Sequence, residues 1–210
     1  LSCDGDTFRA LVSPYSKGCK LEARLTSVSS LHELESTELK DSVVLIHGDL
    51  AREQLMPKNF VFYNPKEHQK IIALLEQKSP AAIISATTRC GALAGGVYPF
   101  PLIEDGDFDI PSVYMTEEEG ARLLDCSGET VRLVSNSRRI PGKGCNVIGK
   151  TPAGGEKRIV ITAHIDAKKG TPGAIDNATG VVSLLLLAHL LRNYEGRYTI
   201  ELVALNGEDY

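Results

Sequence analysis

Three short motifs near the end of the chain contain residues that can hold a metal ion. His164 and Asp166 stand in "HID", and Asp176 stands in "GAIDN". Glu208 and Asp209 follow in "NGED". Carboxylates gathered at one place repel each other, and burying them without a partner is costly. Because no Arg or Lys lies inside these motifs, a divalent cation is the better neutraliser, and imidazole with carboxylate ligands suits zinc, with cobalt or manganese as substitutes.

Each residue of this set has chemistry suited to a separate task. His164 would bind the metal directly, and Asp166, two residues on, could brace the imidazole. Asp176 could bridge two metal ions, because a carboxylate has two oxygens. Glu208 and Asp209 are adjacent and can divide the work: one ligates the metal, and the other takes a proton from a water that the metal activates. The sequence therefore predicts metal-assisted water chemistry.

Each motif also has a simpler explanation when it is taken singly. A histidine and an aspartate two residues apart are common and indicate little. Asp176 precedes the apolar run "VVSLLLLAHLL" (181–191), and Asp is a preferred residue at helix N-caps. The motif "GED" is typical of a solvated turn after a strand. The order of the three motifs on one scaffold favours a metal site over three coincidences.

The elements around the motifs place them at one edge of a sheet. "RIVITAH" (158–164) and "RYTIELVAL" (197–205) are apolar runs typical of buried strands. The apolar run between them predicts a helix, so the two strands should be parallel and joined by a right-handed crossover. In open α/β sheets, ligands bind beyond the carboxyl ends of the strands. His164 and Glu208 should therefore lie on one rim, with Asp176 beside them.

The residues before these motifs predict a separate small α/β unit. Its helices are expected at 64–80, where Pro80 ends the apolar stripe, and at 116–128, where Thr116 and Glu119 have capping-box spacing. Its strands are expected at 41–48, 81–87, 109–116 and 130–137. The charged stretch 137–144 is rich in Pro and Gly and is typical of a junction. We therefore expect one domain at 1–137 and a second at 138–210.

Composition and charge exclude several classes of protein. A chain of 210 residues suggests one large or two small domains, and a formal net charge of -4 without basic clusters argues against nucleic acid as the main partner. No apolar run reaches membrane-spanning length, and no signal peptide is visible. The 5 cysteines are scattered and form no CxxC pair, which indicates reduced structural thiols and a cytoplasmic location. Secretion is the alternative if a segment precedes Leu1.

The motifs resemble those of the M28 metallopeptidases, a family of dizinc aminopeptidases and glutamate carboxypeptidase-like enzymes. The segments 163–181 and 200–210 contain the family's HxD, GAxDNxxG and paired acidic residues in that order. The strands "DSVVLIHG", "AAIISAT" and "DIPSVYMT" resemble those of the protease-associated (PA) domain, which often accompanies these peptidases. The resemblance implies an α/β fold: a PA-type α/β domain followed by the first part of a mixed, mostly parallel-sheet zinc-peptidase domain.

The resemblance also implies a role for each site residue. His164 ligates one zinc ion, and Asp176 bridges this ion to a second one. Asp166 orients His164, Glu208 is the general base that activates the bridging water, and Asp209 ligates the second zinc. The peptide bond that follows Asp176 is expected to be cis.

The function implied by the resemblance is that of a zinc-dependent exopeptidase, more specifically an aminopeptidase, that hydrolyses peptide substrates. The alternative is a non-catalytic PA-type protein-interaction module on a peptidase-like scaffold. The family's remaining ligands, another Asp and a late His, lie beyond the acidic pair. We therefore expect this chain to be part of a longer peptidase and to be inactive by itself. Oligomeric state and side-chain preference leave no signal in the sequence.

Overall fold

The computed structural model describes residues 1–89, 97–152, 154–168 and 170–209. The chain divides into two compact units, Leu1–Ile140 and Pro141–Tyr210. The division falls within the stretch 137–144 that the sequence predicts to be a junction. One of the 5 cysteines, Cys90, lies outside the described residues.

The first unit is built on an eight-stranded mixed sheet. Its strands are β1 (Ser2–Cys3), β2 (Asp6–Thr7), β3 (Leu11–Val12), β4 (Cys19–Val28), β5 (Val43–Ile46), β6 (Ala82–Thr87), β7 (Ser112–Thr116) and β8 (Thr130–Ser135). The strand order is β2-β1-β8-β4-β5-β6-β7-β3. The strands β4 to β7 run parallel, whereas the flanking strands join by antiparallel pairing.

Both faces of the central strands in the first unit are buried. Val44 and Ile46 belong to one cluster of buried apolar side chains, and Val43 and Leu45 belong to another. Successive side chains of a strand point to opposite faces, so one apolar run supplies both clusters. This explains why β5 and β6 have continuous apolar sequences. The helices of this unit are α1 (Leu31–Ser36), α2 (Lys66–Lys78) and α3 (Glu117–Leu124), and a short 3-10 turn lies at Gly48–Ala51.

The elements predicted between residues 41 and 137 are present as β5 to β8, α2 and α3. The oxygen Oγ1 of Thr116 accepts the N–H of Glu119 at 3.2 Å and starts α3. The carboxylate of Glu119 does not return to Thr116 but accepts the N–H of Arg9 at 2.9 Å, so only half of the capping box forms. The strand β4 was not predicted, although the alternation of Leu21, Ala23 and Leu25 with charged residues is its signal.

The second unit contains a three-stranded sheet of order β10-β11-β9. Its strands are β9 (Val147–Lys150), β10 (Arg158–His164) and β11 (Thr199–Leu205). The strands β10 and β11 run parallel with His164 opposite Leu205, and β9 is antiparallel to β11. The helix α4 (Thr179–Leu190) connects β10 to β11 and packs on both. The predicted strand–helix–strand order with parallel strands is therefore present.

The helix α4 is apolar on every side. Only Leu184 of this helix is buried, whereas Leu185, Leu186 and Leu190 are exposed. Helices that are apolar on all sides are usually buried on all sides. No helix formed by the described residues is both long and apolar enough to cross a membrane.

Candidate metal centre

The parallel pair of strands brings His164 and Glu208 to one rim. The pairing of β10 with β11 continues past His164, because the N–H of Ile165 donates to the carbonyl of Leu205 at 2.8 Å. Glu208 and Asp209 follow the end of β11, at the same edge of the sheet. His164 Nε2 lies 3.7 Å from Glu208 Oε2. One ligand atom from each of His164, Glu208 and Asp209 lies within 4.8 Å of the others, so these three residues form a possible metal site.

Asp176 contacts the same imidazole from the segment before α4. Its Oδ1 lies 2.8 Å from His164 Nε2, and its side chain is 79% exposed. It belongs to an irregular helical turn, Ala174–Ala178, in which its own backbone is not helical (φ -113, ψ 92). The peptide bond between Asp176 and Asn177 is cis, as the resemblance implied.

The prediction that Asp176 caps the following helix is wrong. The helix α4 begins at Thr179, and the side chain that reaches its first turn is Asn177, whose Oδ1 accepts the N–H of Gly180 at 3.1 Å. The carboxylate of Asp176 meets His164 instead. Sequence reasoning missed Asn177, although Asn is as good a capping residue as Asp and lies three residues before the amide that it accepts.

Asp166 holds the other ring nitrogen of His164. Nδ1 of the ring lies 3.0 Å from the main-chain carbonyl oxygen of Asp166 and 3.7 Å from its carboxylate Oδ1. A carbonyl oxygen only accepts hydrogen bonds, so Nδ1 carries a proton. This contact leaves Nε2 of His164, which faces Asp176 and Glu208, as the nitrogen available to a metal.

The surroundings of His164 favour its protonated form. Burial lowers its pKa, but three partners outweigh burial: the Asp166 carbonyl, the Asp176 carboxylate and the negative charge of Glu208. The pKa of His164 therefore lies above its ordinary value of 6.5. A proton and a metal ion thus compete for the same nitrogen.

The carboxylate of Asp166 is kept ionised. Burial raises its pKa, but its own N–H and those of Glu208, Gly207 and Asp209 lower it below the ordinary 3.8. Both carboxylate oxygens are buried, and neither makes a hydrogen bond of standard geometry within the described part of the chain.

The donor atoms at this rim fit zinc. One imidazole nitrogen and the carboxylates of Asp176, Glu208 and Asp209 are the ligand types that zinc takes in proteins. The ring is braced at Nδ1 by a main-chain oxygen, which is the usual partner arrangement behind a zinc-binding histidine.

Sequence comparison shows that the segment containing this rim is similar to a known peptidase family. Residues 146–210 match the family described as Peptidase family M28. Over 119 residues the chain is 33% identical to the probable lipoprotein aminopeptidase LpqL of Mycobacterium tuberculosis, a match that covers 56% of this chain and 23% of that protein.

Solved structures with a similar fold include two aminopeptidases. The zinc aminopeptidase BSAP of Bacillus subtilis is 18% identical with a TM-score of 0.60, over 97% of this chain and 46% of its own. The aminopeptidase of Aneurinibacillus sp. strain AM-1 is 19% identical with a TM-score of 0.55, over 93% of this chain and 46% of its own. The chain thus spans about half the length of these two structures and under a quarter of the curated relative.

The family match and the shared fold show what this chain is similar to. Residues 146–210 are similar to the M28 peptidases, and the chain has a mixed α/β fold similar to that of solved aminopeptidases. The resemblance that the motifs indicated is therefore confirmed for the peptidase family. The assignment of residues 1–137 to a PA-like domain stays a prediction.

Proposed function

We propose that the protein to which this chain belongs is a zinc-dependent exopeptidase, and more specifically an aminopeptidase. The observation that carries this proposal is the meeting of His164 Nε2 with Asp176 and Glu208 beyond the carboxyl ends of two parallel strands. Two further findings support it: the M28 match covers this segment, and the similarly folded B. subtilis protein is described as a zinc aminopeptidase.

The residues of the rim would divide the work as follows. His164 and Asp209 would each hold one zinc ion, and Asp176 would bridge the two. When bound, zinc supplies Lewis acidity at the scissile carbonyl and lowers the pKa of water. Asp166 keeps His164 in the orientation and tautomer that present Nε2 to the ion.

Glu208 is the residue best suited to move the proton. Its side chain is 57% exposed, and its Oε2 stays beyond hydrogen-bond distance of His164 at 3.7 Å. A carboxylate that is partly exposed and not hydrogen-bonded to His164 can accept a proton from the attacking water as the oxygen of that water bonds to the carbonyl carbon of the peptide. It can then give that proton to the amine nitrogen as the carbon–nitrogen bond breaks.

The test is hydrolysis of peptides by the longest natural form of the protein. We expect release of the first residue from peptides with a free amino terminus, loss of this activity with a chelator, and recovery with zinc. Amino-acetylated copies of the same peptides are the matched control and should resist cleavage. Removal of the last residue from those controls would identify a carboxypeptidase instead. Zinc binding without any hydrolysis would favour the alternative, a PA-type protein-interaction module.

The domain and location assignments are also proposals. We propose a PA-like domain at 1–137, the start of the peptidase domain at 138–210, and a cytoplasmic protein. The M. tuberculosis relative, by contrast, is a probable lipoprotein aminopeptidase. Fractionation of cells that express the natural gene checks the compartment, and recovery in the membrane or exported fraction would contradict the cytoplasmic assignment.

A further inference from the structure

Residues 140–145, here named the connecting segment, are exposed over their whole length. They belong to no helix or strand, and they make no hydrogen bond or ion pair with any described residue. A Cβ added at Gly142 would meet no atom of a described residue within 4 Å, so this part of the backbone has open space beside it. Exposed segments of this kind are the preferred sites of proteolytic cleavage.

The residues on either side of the connecting segment are anchored. The carbonyl of Ser137 accepts the N–H of Gly18 at 3.0 Å, and the hydroxyl of Ser137 donates to the carbonyl of Ser16 at 3.0 Å. In the second unit, Oδ1 of Asn146 accepts the N–H of Asn206 at 2.9 Å. The backbone that an endopeptidase can take up without breaking a hydrogen bond therefore lies between these anchors.

Arg139 stands directly before the connecting segment, but its guanidinium is already engaged. Nε donates to the carbonyl of Tyr15 at 2.7 Å, and Nη2 donates to the carbonyl of Phe108 at 2.6 Å. Nη1 donates to Oδ1 of Asp109 at 2.8 Å. An endopeptidase that cuts after basic residues takes the basic side chain into a pocket, where a carboxylate binds its charge. Arg139 would have to give up all three contacts to enter such a pocket.

Arg138 is protected by its neighbours. It lies between Ser137 and Arg139, which are both tied to the first unit. The bond that follows Arg138 therefore enters a protease cleft only after local opening of the chain, and sites that depend on local opening are cut more slowly.

Lys143 is the basic residue of the connecting segment, and it has none of these contacts. Its ammonium makes no ion pair or hydrogen bond with a described residue. Gly142 and Gly144 flank it, so no neighbouring side chain obstructs the approach of a cleft. The bond that follows Lys143 is therefore the accessible one after a basic residue in this part of the chain.

Two lysines in loops of the second unit differ from Lys143, because backbone hydrogen bonds hold the chain beside them. The carbonyl of Lys157 accepts the N–H of Thr199 at 2.9 Å. The carbonyl of Lys168 accepts the N–H of Thr171 at 3.0 Å. Cleavage after either lysine thus requires local opening as well.

We propose that the peptide bond between Lys143 and Gly144 is a processing site for an endopeptidase of trypsin-like specificity. Hydrolysis consumes one water. The bond between the carbonyl carbon of Lys143 and the nitrogen of Gly144 breaks, Lys143 keeps the water oxygen as a carboxylate, and Gly144 becomes a protonated amino terminus. The cut separates residues 1–143 from the residues that follow. None of these residues belongs to the metal rim, so this cleavage is independent of the proposed peptidase activity.

The test is limited digestion of the folded 210-residue chain by a low concentration of trypsin. Samples are taken over time, and the fragments are identified by intact mass and amino-terminal sequencing. We expect the first products to be 1–143 and 144–210, formed about tenfold faster or more than any product that ends at Arg138 or Arg139. An endopeptidase that cuts only after lysine should give the same first pair.

Three variants separate the contributions. Lys143→Gln should lose this pair of fragments and slow the disappearance of the intact chain by about tenfold. The matched control Lys157→Gln should be cut like the wild type. Asp109→Asn removes the carboxylate that holds Arg139, so a product that ends at Arg139 should appear in addition. Circular dichroism checks that each variant is folded, and the wild-type digest decides the order of cleavage even if a variant fails to fold.

Three results would overturn the proposal. The first is a wild-type digest in which cleavage begins at any bond other than the one after Lys143. The second is a Lys143→Gln chain that disappears as fast as the wild type. The third is protection of Lys143 in the longest natural form of the protein, which would mean that other parts of that protein cover the connecting segment.

Discussion

His164 Nε2 lies 2.8 Å from Asp176 Oδ1, while Nδ1 of the same ring lies 3.0 Å from the carbonyl oxygen of Asp166. Both ring nitrogens therefore face hydrogen-bond acceptors. A ring between two acceptors is best satisfied as imidazolium, because only the charged ring donates from both nitrogens. Without zinc, a proton thus occupies the nitrogen that the ion would take, and the zinc affinity of this rim depends on pH.

Removal of His164 should weaken zinc binding by this chain. We expect the 210-residue chain to bind zinc only weakly and to show no peptidase activity, because the rim offers one nitrogen together with carboxylates that are largely exposed. His164→Ala should weaken binding by more than about tenfold. Calorimetric titration measures this, with His189→Ala as the control, since His189 is exposed on α4. Equal affinities in the two variants, or tight binding of two equivalents of zinc to the wild type, would contradict the predicted ligands.

Zinc binding should release a proton from His164 at pH values below the raised pKa of this ring. The pKa of His164 is raised above its ordinary value of 6.5, so most of the ring is protonated at pH 6.5 and below. The zinc affinity should therefore fall as the pH drops through the pKa of His164. At pH well above the pKa the dependence should vanish. Titrations in two buffers of different ionisation enthalpy count the protons released. Asp176→Asn removes a group that raises this pKa, so the midpoint of the dependence should move to lower pH; an unchanged midpoint would count against the His164–Asp176 contact.

Glu208→Gln in the natural full-length protein should abolish turnover while keeping zinc. The amide has the size of the carboxylate but cannot accept the proton of the attacking water, and general-base catalysis contributes about 10²–10⁴-fold. Asp209→Asn is the matched comparison and should lose zinc instead. Activity assays and metal analysis of the purified variants check both statements. Glu208 lies close enough to His164 to be a metal ligand itself. Loss of zinc from Glu208→Gln would therefore mean that Glu208 is the ligand and Asp209 the general base.

Gly180→Ala should disturb the turn that carries Asp176. A Cβ at this position would lie 2.4 Å from Asn177 Oδ1 and 2.9 Å from Ala163 Cβ, so α4 must move away from β10. We expect a loss of about 1–3 kcal/mol in the free energy of unfolding, together with weaker zinc binding. Gly149→Ala is the control, because a Cβ there meets nothing within 4 Å. Unfolding titrations of both variants decide the matter, and equal stabilities would refute the close packing of α4.

Glu201 should make the second unit sensitive to acid. Its Oε1 lies 3.0 Å from Lys150 Nζ and 3.3 Å from Arg158 Nη1 across the three-stranded sheet. The hydrogen bond from Lys150, with the contribution of Arg158, holds its pKa below 4.5 despite burial. Since folding lowers this pKa, the stabilisation is present above about pH 4.5 and is lost as the pH falls through the lower folded value.

Replacement of Glu201 by Gln tests this dependence. Glu201→Gln should melt at a lower temperature than the wild type at pH 7, and the difference should shrink between pH 4.5 and pH 3. Circular dichroism during heating at several pH values follows it. Glu156→Gln removes an exposed carboxylate and should melt like the wild type throughout. A difference that persists at pH 3 would assign the effect of Glu201 to packing.

The sequence by itself determined the residues of the rim and the elements that carry them. The apolar runs at 158–164 and 199–205, with an apolar helix between them, predict a parallel pair. Residues that follow parallel strands must meet at one edge. This local argument located His164 and Glu208 together without any side-chain geometry. The same kind of argument would have found β4, whose alternation of apolar and charged residues was not used.

Only the tertiary structure decided which atoms meet. Asp176 and Asn177 are adjacent and chemically similar. Because of the path of the backbone through the irregular turn, Asp176 contacts the imidazole of His164, whereas Asn177 accepts the N–H of Gly180 in the helix. Sequence patterns report the period of an element and the face that it buries. Contacts between residues far apart in the chain depend on the packing of several elements at once, which no local pattern contains.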